Sequence, residues 1–286
     1  MDTISVVGCG WLGLPLARRM VGRGCTVKGS TTTEDKLQTL RDSGIEPYLL
    51  RLTPEPGENP GALLDADVLF VNVPPPRGVD DRAAYHMRQM EALRDTTQAE
   101  WVIFASSTGV YPNAPKVVAE ADVPPGGPPA VSGSRRPTGD VLQAVEGMWM
   151  VAEQDVTILR FGGLYGPDRH PGRFLAGRTG LSRPQAPVNL IHLEDCIGVV
   201  EAVLDQNARN DVFNAVAPHH PSRKDAYTHA ARTLGLEPPT FDPSDTRTGK
   251  MISSEKTQTF LGYTYRHAPG GTAYSTEDGA DSGGTG

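Results

Sequence analysis

Apolar and polar positions along the chain fall into two kinds of block that alternate. Thr3–Val7 is a short run rich in β-branched residues, and Gly10–Val21 follows it with Leu12, Leu16, Ala17 and Met20 on one helical face. Cys25–Lys28 and Pro47–Leu52 read as further strands around a helix over Asp35–Ser43. Asp67–Val73 is apolar without alternation, the pattern of a strand covered on both faces, and Pro74, Pro75 and Pro76 stop it. Ala83–Asp95 is helical, and Trp101–Ala105 is a fifth strand running into Ser106, Ser107 and Thr108. Later blocks predict helices over Asp140–Val151, Leu193–Leu204 and Ser222–Leu234, the last capped by Ser222, and strands over Val156–Arg160 and Val212–Val216. Regular alternation of this kind predicts an α/β fold, a Rossmann-type doubly wound parallel sheet with helices on both faces.

The pattern weakens in three places. Residues 112–137 are rich in Pro, Gly and Ser and read as a long loop. Gly162–Pro187 carries little periodicity. From Ala268 onward the chain lacks the apolar content to fold and is expected to form a mobile tail. The organisation expected is therefore a sheet domain over 1–160, a mixed lobe over 161–267 that also completes the sheet, and a tail over 268–286.

Composition narrows the partners. A net charge of -7 argues against nucleic acid or an anionic membrane surface, both of which attract basic proteins. No run of 18 apolar residues is present, and the N-terminus reads as a strand, not a secretory signal. Cys9, Cys25 and Cys196 are odd in number, lie in apolar segments and lack metal-ligand spacing, which fits reduced thiols in a cytoplasmic protein. The oligomeric state is left open.

The strongest chemical signal is Gly8-Cys9-Gly10-Trp11-Leu12-Gly13, a G-x-G-x-x-G turn placed between a strand and a helix. Gly8 permits the tight turn, Gly10 lets a pyrophosphate approach the backbone, and Gly13 lets helix and strand pack closely. The helix N-terminus adds N–H donors and partial positive charge. The turn predicts a nicotinamide dinucleotide, with Trp11 and Leu12 in the cradle. An NAD site usually places an acid at the end of the second strand, where this chain has Lys28, Gly29, Ser30, Thr31 and Thr32. Hydroxyls of Ser30, Thr31 and Thr32 suit a 2′-phosphate, with Lys28 or Lys36 as its counter-charge. The missing acid favours NADP, with NAD as the alternative. Asn72, Val73 and Pro74, at the end of the fourth strand, are candidates for the adenosine or ribose wall.

Further along, Phe104-Ala105-Ser106-Ser107-Thr108-Gly109-Val110-Tyr111, then Leu159–Pro167, then Asn189–Asp195, resemble in order the motifs of extended short-chain dehydrogenase/reductases. That family includes sugar-nucleotide epimerases and dehydratases. The runs Gly166–Phe174 and Ala217–Lys224, with Gly249-Lys250, are similar to an atypical, epimerase/dehydratase-like bacterial subgroup. The resemblance implies a C-terminal substrate lobe, Ser106 near the cofactor, and Ser107 as the catalytic hydroxyl with Thr108 as its substitute. The family's Tyr-x-x-x-Lys is missing: one register places Ser132 and Arg136 there, another Thr138 and Leu142. Tyr111 and Tyr165 are the remaining phenols for proton donation.

Two His-Pro-x-Arg runs, His170–Arg173 and His220–Arg223, lie in the expected lobe, with Arg160, Arg169, Lys224 and Lys250 in neighbouring segments. Arg presents a fork that fits carboxylate or phosphate. Tyr165, Arg169, His170, Arg173, Arg223 and Lys250 are thus candidates for an anionic substrate pocket. Surface ion pairs to Asp168, Asp225 and Glu194 are the equal alternative. His192 reads as structural, at the start of a helix. Together these features predict an NADP-dependent oxidoreductase acting on a small anionic or carbonyl molecule. A non-catalytic NADP(H)-binding or sensing protein, and a nucleotide-sugar epimerase or dehydratase, stand as alternatives.

Overall fold

The computed structural model describes residues 2–53, 61–127 and 137–269. Seven parallel strands form the central sheet: β1 (Thr3–Val7), β2 (Thr26–Thr31), β3 (Glu46–Leu49), β4 (Val68–Val71), β5 (Trp101–Ser107), β7 (Asp155–Phe161) and β10 (Asp211–Ala215), in the order β10-β7-β5-β4-β1-β2-β3. The order reverses between β1 and β4, so a crevice opens beyond the C-terminal ends of those two strands. Short pairs lie outside this sheet: β6 (Val117–Val118) with β11 (Met251–Ile252), and β8 (Gly163–Tyr165) with β9 (Leu190–His192).

Two apolar layers hold helices against the two faces. On one side α1 (Gly13–Gly22) and α6 (Leu193–Asp205) bury Leu16, Ala17, Met20, Ile197 and Val200 against Ile4, Val6 and Phe213. On the other, α3 (Arg82–Thr96) and α4 (Pro137–Met150) bury Met90, Leu93, Val145 and Trp149 against Leu69, Val71, Val102 and Phe104. Each fully buried aliphatic or aromatic side chain stabilises the fold by about 1.5–3 kcal/mol relative to exposure. The other α-helices among the described residues are α2 (Lys36–Asp42), the one-turn α5 (Gly172–Leu175), α7 (Arg223–Thr233) and α8 (Glu255–Phe260). Ser222 caps α7, its hydroxyl accepting from the Asp225 N–H at 3.1 Å. Among the described residues no helix is long and apolar enough to cross a membrane.

The structure corrects several expected boundaries. Strand β2 runs on through Gly29, Ser30 and Thr31, because Gly29 is paired on both sides, to Val6 and to Pro47. A Cβ at Gly29 would lie 2.7 Å from the Cys9 sulfur, so here glycine permits close packing and does not end the strand. The loop expected over 112–137 contains β6, whose partner β11 lies far along the chain, and it ends at Pro137, the first residue of α4. The stretch expected to be irregular after Gly162 holds β8 and α5. Residues 128–136 and the tail from 270 fall outside the described residues, and with them Ser132 and Arg136.

Candidate functional site

The glycine turn sits at the reversal of strand order, and its three glycines are required for different reasons. Gly8 has φ +100°, and a Cβ there would lie 2.5 Å from the Asn72 carbonyl oxygen. A Cβ at Gly13 would lie 2.2 Å from the Gly8 oxygen. A Cβ at Gly10 would meet nothing within 4 Å, so that position faces open space. Two neighbours fix the turn. Ser30 Oγ accepts from the Gly8 N–H at 3.0 Å, and Asn72 Nδ2 donates to the Gly8 oxygen at 3.3 Å. The Cys9 N–H also donates to the Ser30 carbonyl at 2.8 Å.

Beside the turn a cavity of about 390 Å³ opens over the ends of β1, β2, β3 and β4. Gly8 and Gly10 form one wall, Ser30, Thr31 and Thr32 a second, and Asn72, Val73 and Pro74 a third. Lys36 and Arg51 complete the rim, and among the described residues no carboxylate lines it. Arg51 is exposed and donates through Nε to the Thr32 carbonyl at 3.4 Å. The sequence signal for such a residue, a cation just past a strand, is weak where the cofactor motif involves only the first two strands. Arg51 follows the third, whose C-terminal end opens on the same crevice. Lys28 is corrected: its ammonium donates to the carbonyls of Ala62 (2.7 Å) and Asp65 (2.6 Å), and it does not line the cavity. Ser30 is engaged in supporting the turn. Leu12 is 3% exposed and packs in the core, so Leu12 faces the crevice only with its backbone. The Trp11 side chain is not part of this cavity's lining and extends to the loop after β8, where its indole N–H donates to the Pro167 carbonyl at 2.9 Å.

The candidates after β5 part company. Ser107 is half-buried, and its Oγ accepts from the Gly109 N–H at 3.1 Å, which closes a one-turn 3-10 helix over Thr108–Val110. Thr108 is buried, and its carbonyl accepts from the Lys250 ammonium at 2.6 Å. Ser106 and Tyr111 belong to a buried polar network. Ser106 Oγ donates to Glu146 at 2.5 Å, and Glu146 forms an ion pair at 2.6 Å with Arg160, both side chains fully buried. Arg160 also donates to the Tyr111 hydroxyl at 2.9 Å, which in turn donates to Asn214 Oδ1 at 2.7 Å. Burial pushes the Tyr111 phenol up to about 12, against the opposing effect of Arg160. Tyr111 is therefore corrected from proton donor to structural member. Ser106 is removed from the cofactor wall, and Arg160 from the anion cluster, because their polar atoms are satisfied inside the protein.

The expected anion cluster does not converge either. Lys250 donates to the Thr108 and Tyr111 carbonyls, the latter at 2.7 Å, and so straps the loop after β5. Arg223 donates to the Ser182 carbonyl and lies over the Phe241 ring at 5.7 Å. His170 Nδ1 accepts from the Gly172 N–H at 3.1 Å, and Arg173 is exposed on α5. The Tyr165 hydroxyl donates to the His267 carbonyl at 3.3 Å, and its ring meets His192 edge-on at 5.1 Å. His192 Nδ1 accepts from the Glu194 N–H at 3.2 Å and so caps α6. The surface ion-pair alternative also fails in detail, since Glu194 pairs with Arg19 at 2.9 Å and Asp225 bonds Ser222.

Residues 3–122 match the model of the NAD-binding domain of 6-phosphogluconate dehydrogenase. Over 277 residues the chain is 40% identical to Protein YeeZ of Escherichia coli K12, covering 93% of this chain and 97% of that one. The chain belongs to the YeeZ family. Its N-terminal half is a Rossmann-type NAD-binding domain. Among solved structures it resembles UDP-glucose 4-epimerase of Thermotoga maritima with UDP-glucose (TM-score 0.74, 16% identity, 93% and 94% of the two chains). It also resembles UDP-glucuronic acid 4-epimerase of Bacillus cereus with NAD (0.71, 19%, 94% and 95%). A functionally unknown conserved protein of Silicibacter pomeroyi DSS is similar over 94% and 95% of the chains, at TM-score 0.70 and 24% identity. These likenesses establish the fold.

Proposed function

We propose that this member of the YeeZ family is an NADP(H)-dependent oxidoreductase of the extended short-chain dehydrogenase/reductase type, acting on a small carbonyl or alcohol substrate. One observation carries the cofactor choice: the cavity beside the glycine turn has Thr31, Thr32, Lys36 and Arg51 on its rim and, among the described residues, no carboxylate. A 2′-phosphate there finds hydroxyl donors and two cations, whereas the diol of NAD lacks the acid that usually receives it. Solved neighbours hold NAD on the same fold. The nicotinamide supplies hydride chemistry when bound. Ser107, at the C-terminal end of β5, donates a hydrogen bond from its hydroxyl to the substrate oxygen and so polarises the reacting bond. Its lone pair is held by Gly109, which fixes the rotor.

A second reading keeps the cofactor and drops the turnover. No lysine occurs between Lys116 and Lys224, so the family's Tyr-x-x-x-Lys has no lysine on any register of α4. Thr138 and Leu142 stand at one such register. This favours a protein that holds NADP(H) and reports on it.

The test is a fluorescence titration with NADPH and NADH, followed by a panel of carbonyl compounds scored for NADPH oxidation. NADPH is expected to bind at least about tenfold tighter, the scale of one charge-assisted hydrogen bond. Arg51→Ala should remove most of that preference while leaving NADH affinity unchanged. Equal or tighter NADH binding by the unmodified protein would overturn the cofactor assignment. Tight NADPH binding without oxidation by any carbonyl would select the second reading.

A further inference from the structure

The two lobes meet over the glycine turn through Trp11. Its indole N–H donates to Pro167, and the Arg169 guanidinium carbon lies 4.7 Å from its ring centroid. A Cβ at Gly166 would sit 3.4 Å from Trp11 Cζ2, so the loop after β8 rests against the indole. That loop is closed by paired bonds between Gly166 and Arg169, with Arg169 N–H to the Gly166 oxygen at 3.1 Å. Arg169 is therefore presented by a tight turn and stacked on the indole of Trp11, whose backbone belongs to the glycine turn. Its guanidinium differs from those of Arg19, Arg23, Arg160, Arg209 and Arg247, each of which is ion-paired. Among the described residues no carboxylate or carbonyl accepts from it.

We infer that Arg169 binds the diphosphate of the dinucleotide from the C-terminal lobe, and does not bind the substrate. The inference rests on the glycine turn being the dinucleotide seat. Backbone amides and the start of α1 supply about half a positive charge, which leaves much of a diphosphate's charge uncompensated. A guanidinium offers two parallel N–H groups to phosphate oxygens. Stacking on Trp11 orders the side chain in advance, so less freedom is lost when the ligand arrives. The bound dinucleotide then bridges both lobes, because one of its contacts comes from Gly8–Gly13 and the other from Gly166–Arg169.

Calorimetric titration of the full chain with NADPH and NADH tests this in the unmodified protein, Arg169→Met and Arg169→Lys. Met keeps an unbranched side chain over the indole without charge, and Lys keeps the charge without the fork. Arg169→Met should weaken NADPH and NADH by the same factor, about tenfold or more, with an unchanged melting temperature. Arg169→Lys should recover part of the loss. The NADPH affinity of the unmodified protein should also fall more steeply with salt than that of Arg169→Met. Unchanged affinities in Arg169→Met, or a loss confined to NADPH, would overturn the inference, the second by assigning Arg169 to the 2′-phosphate. An unmodified protein that binds neither dinucleotide would remove the seat itself, a failure of the underlying reading that is distinct from the other two.

Discussion

Gly10→Val is expected to weaken dinucleotide binding by about a hundredfold or more, some 2.7 kcal/mol, while leaving the melting temperature unchanged. The reason is the contrast within one turn. A side chain at Gly10 enters open space beside the cavity, the space a diphosphate needs if it is to touch bare backbone amides. Nothing in the folded protein is displaced, so stability is spared. Side chains at Gly8 or Gly13 meet backbone oxygens at 2.5 and 2.2 Å, and Gly8 also has a φ that L-residues rarely adopt. Gly8→Ala and Gly13→Ala should therefore lower the melting temperature as well as binding. Calorimetric titration beside thermal unfolding separates the two outcomes. A Gly10→Val protein that binds NADPH as tightly as the parent would show that the ligand does not lie over this turn.

The second large effect concerns stability. Arg160→Leu should destabilise the protein by about 3–5 kcal/mol, because it leaves the fully buried Glu146 carboxylate without its partner. Tyr111 also loses a donor to its hydroxyl. Removing both charges, as Glu146→Gln with Arg160→Met, should recover more than half of that loss, since the penalty lies in the unpaired charge. Urea unfolding of the single and double variants measures both numbers. A loss below about 1 kcal/mol in Arg160→Leu, the size of a surface pair, would mean that the pair is hydrated. The network also explains why motif reading assigned chemistry to the wrong side chains. Ser106 and Tyr111 stand on either side of Ser107 and Thr108, but both turn inward to Glu146, Arg160 and Asn214.

What the sequence revealed and what it hid divide by distance along the chain. The face formed by Leu12, Leu16, Ala17 and Met20 was legible because helical spacing places them together, and all four are buried. The uninterrupted Val68–Val71 run likewise announces a central strand, since both faces of a parallel sheet are covered. The β6–β11 pairing joins Val117 to Met251, and no local pattern reports a partner so remote. The same holds for the site. Glycine spacing marks the turn because its residues are adjacent. Arg51 reaches the cavity from a third strand whose end only the sheet order places beside Thr32. The histidines and arginines clustered between His170 and Arg223 show the converse. Nearness in sequence suggested one pocket, while Lys250, Arg223 and His170 each hold a separate piece of backbone.

The most direct measurement is a crystal structure of the protein saturated with NADPH. The account predicts the diphosphate within hydrogen-bond distance of the backbone amides between Gly10 and Leu12, and the 2′-phosphate among Thr32, Lys36 and Arg51. Density for the cofactor at any other place, or an empty crevice at saturating NADPH, would contradict it.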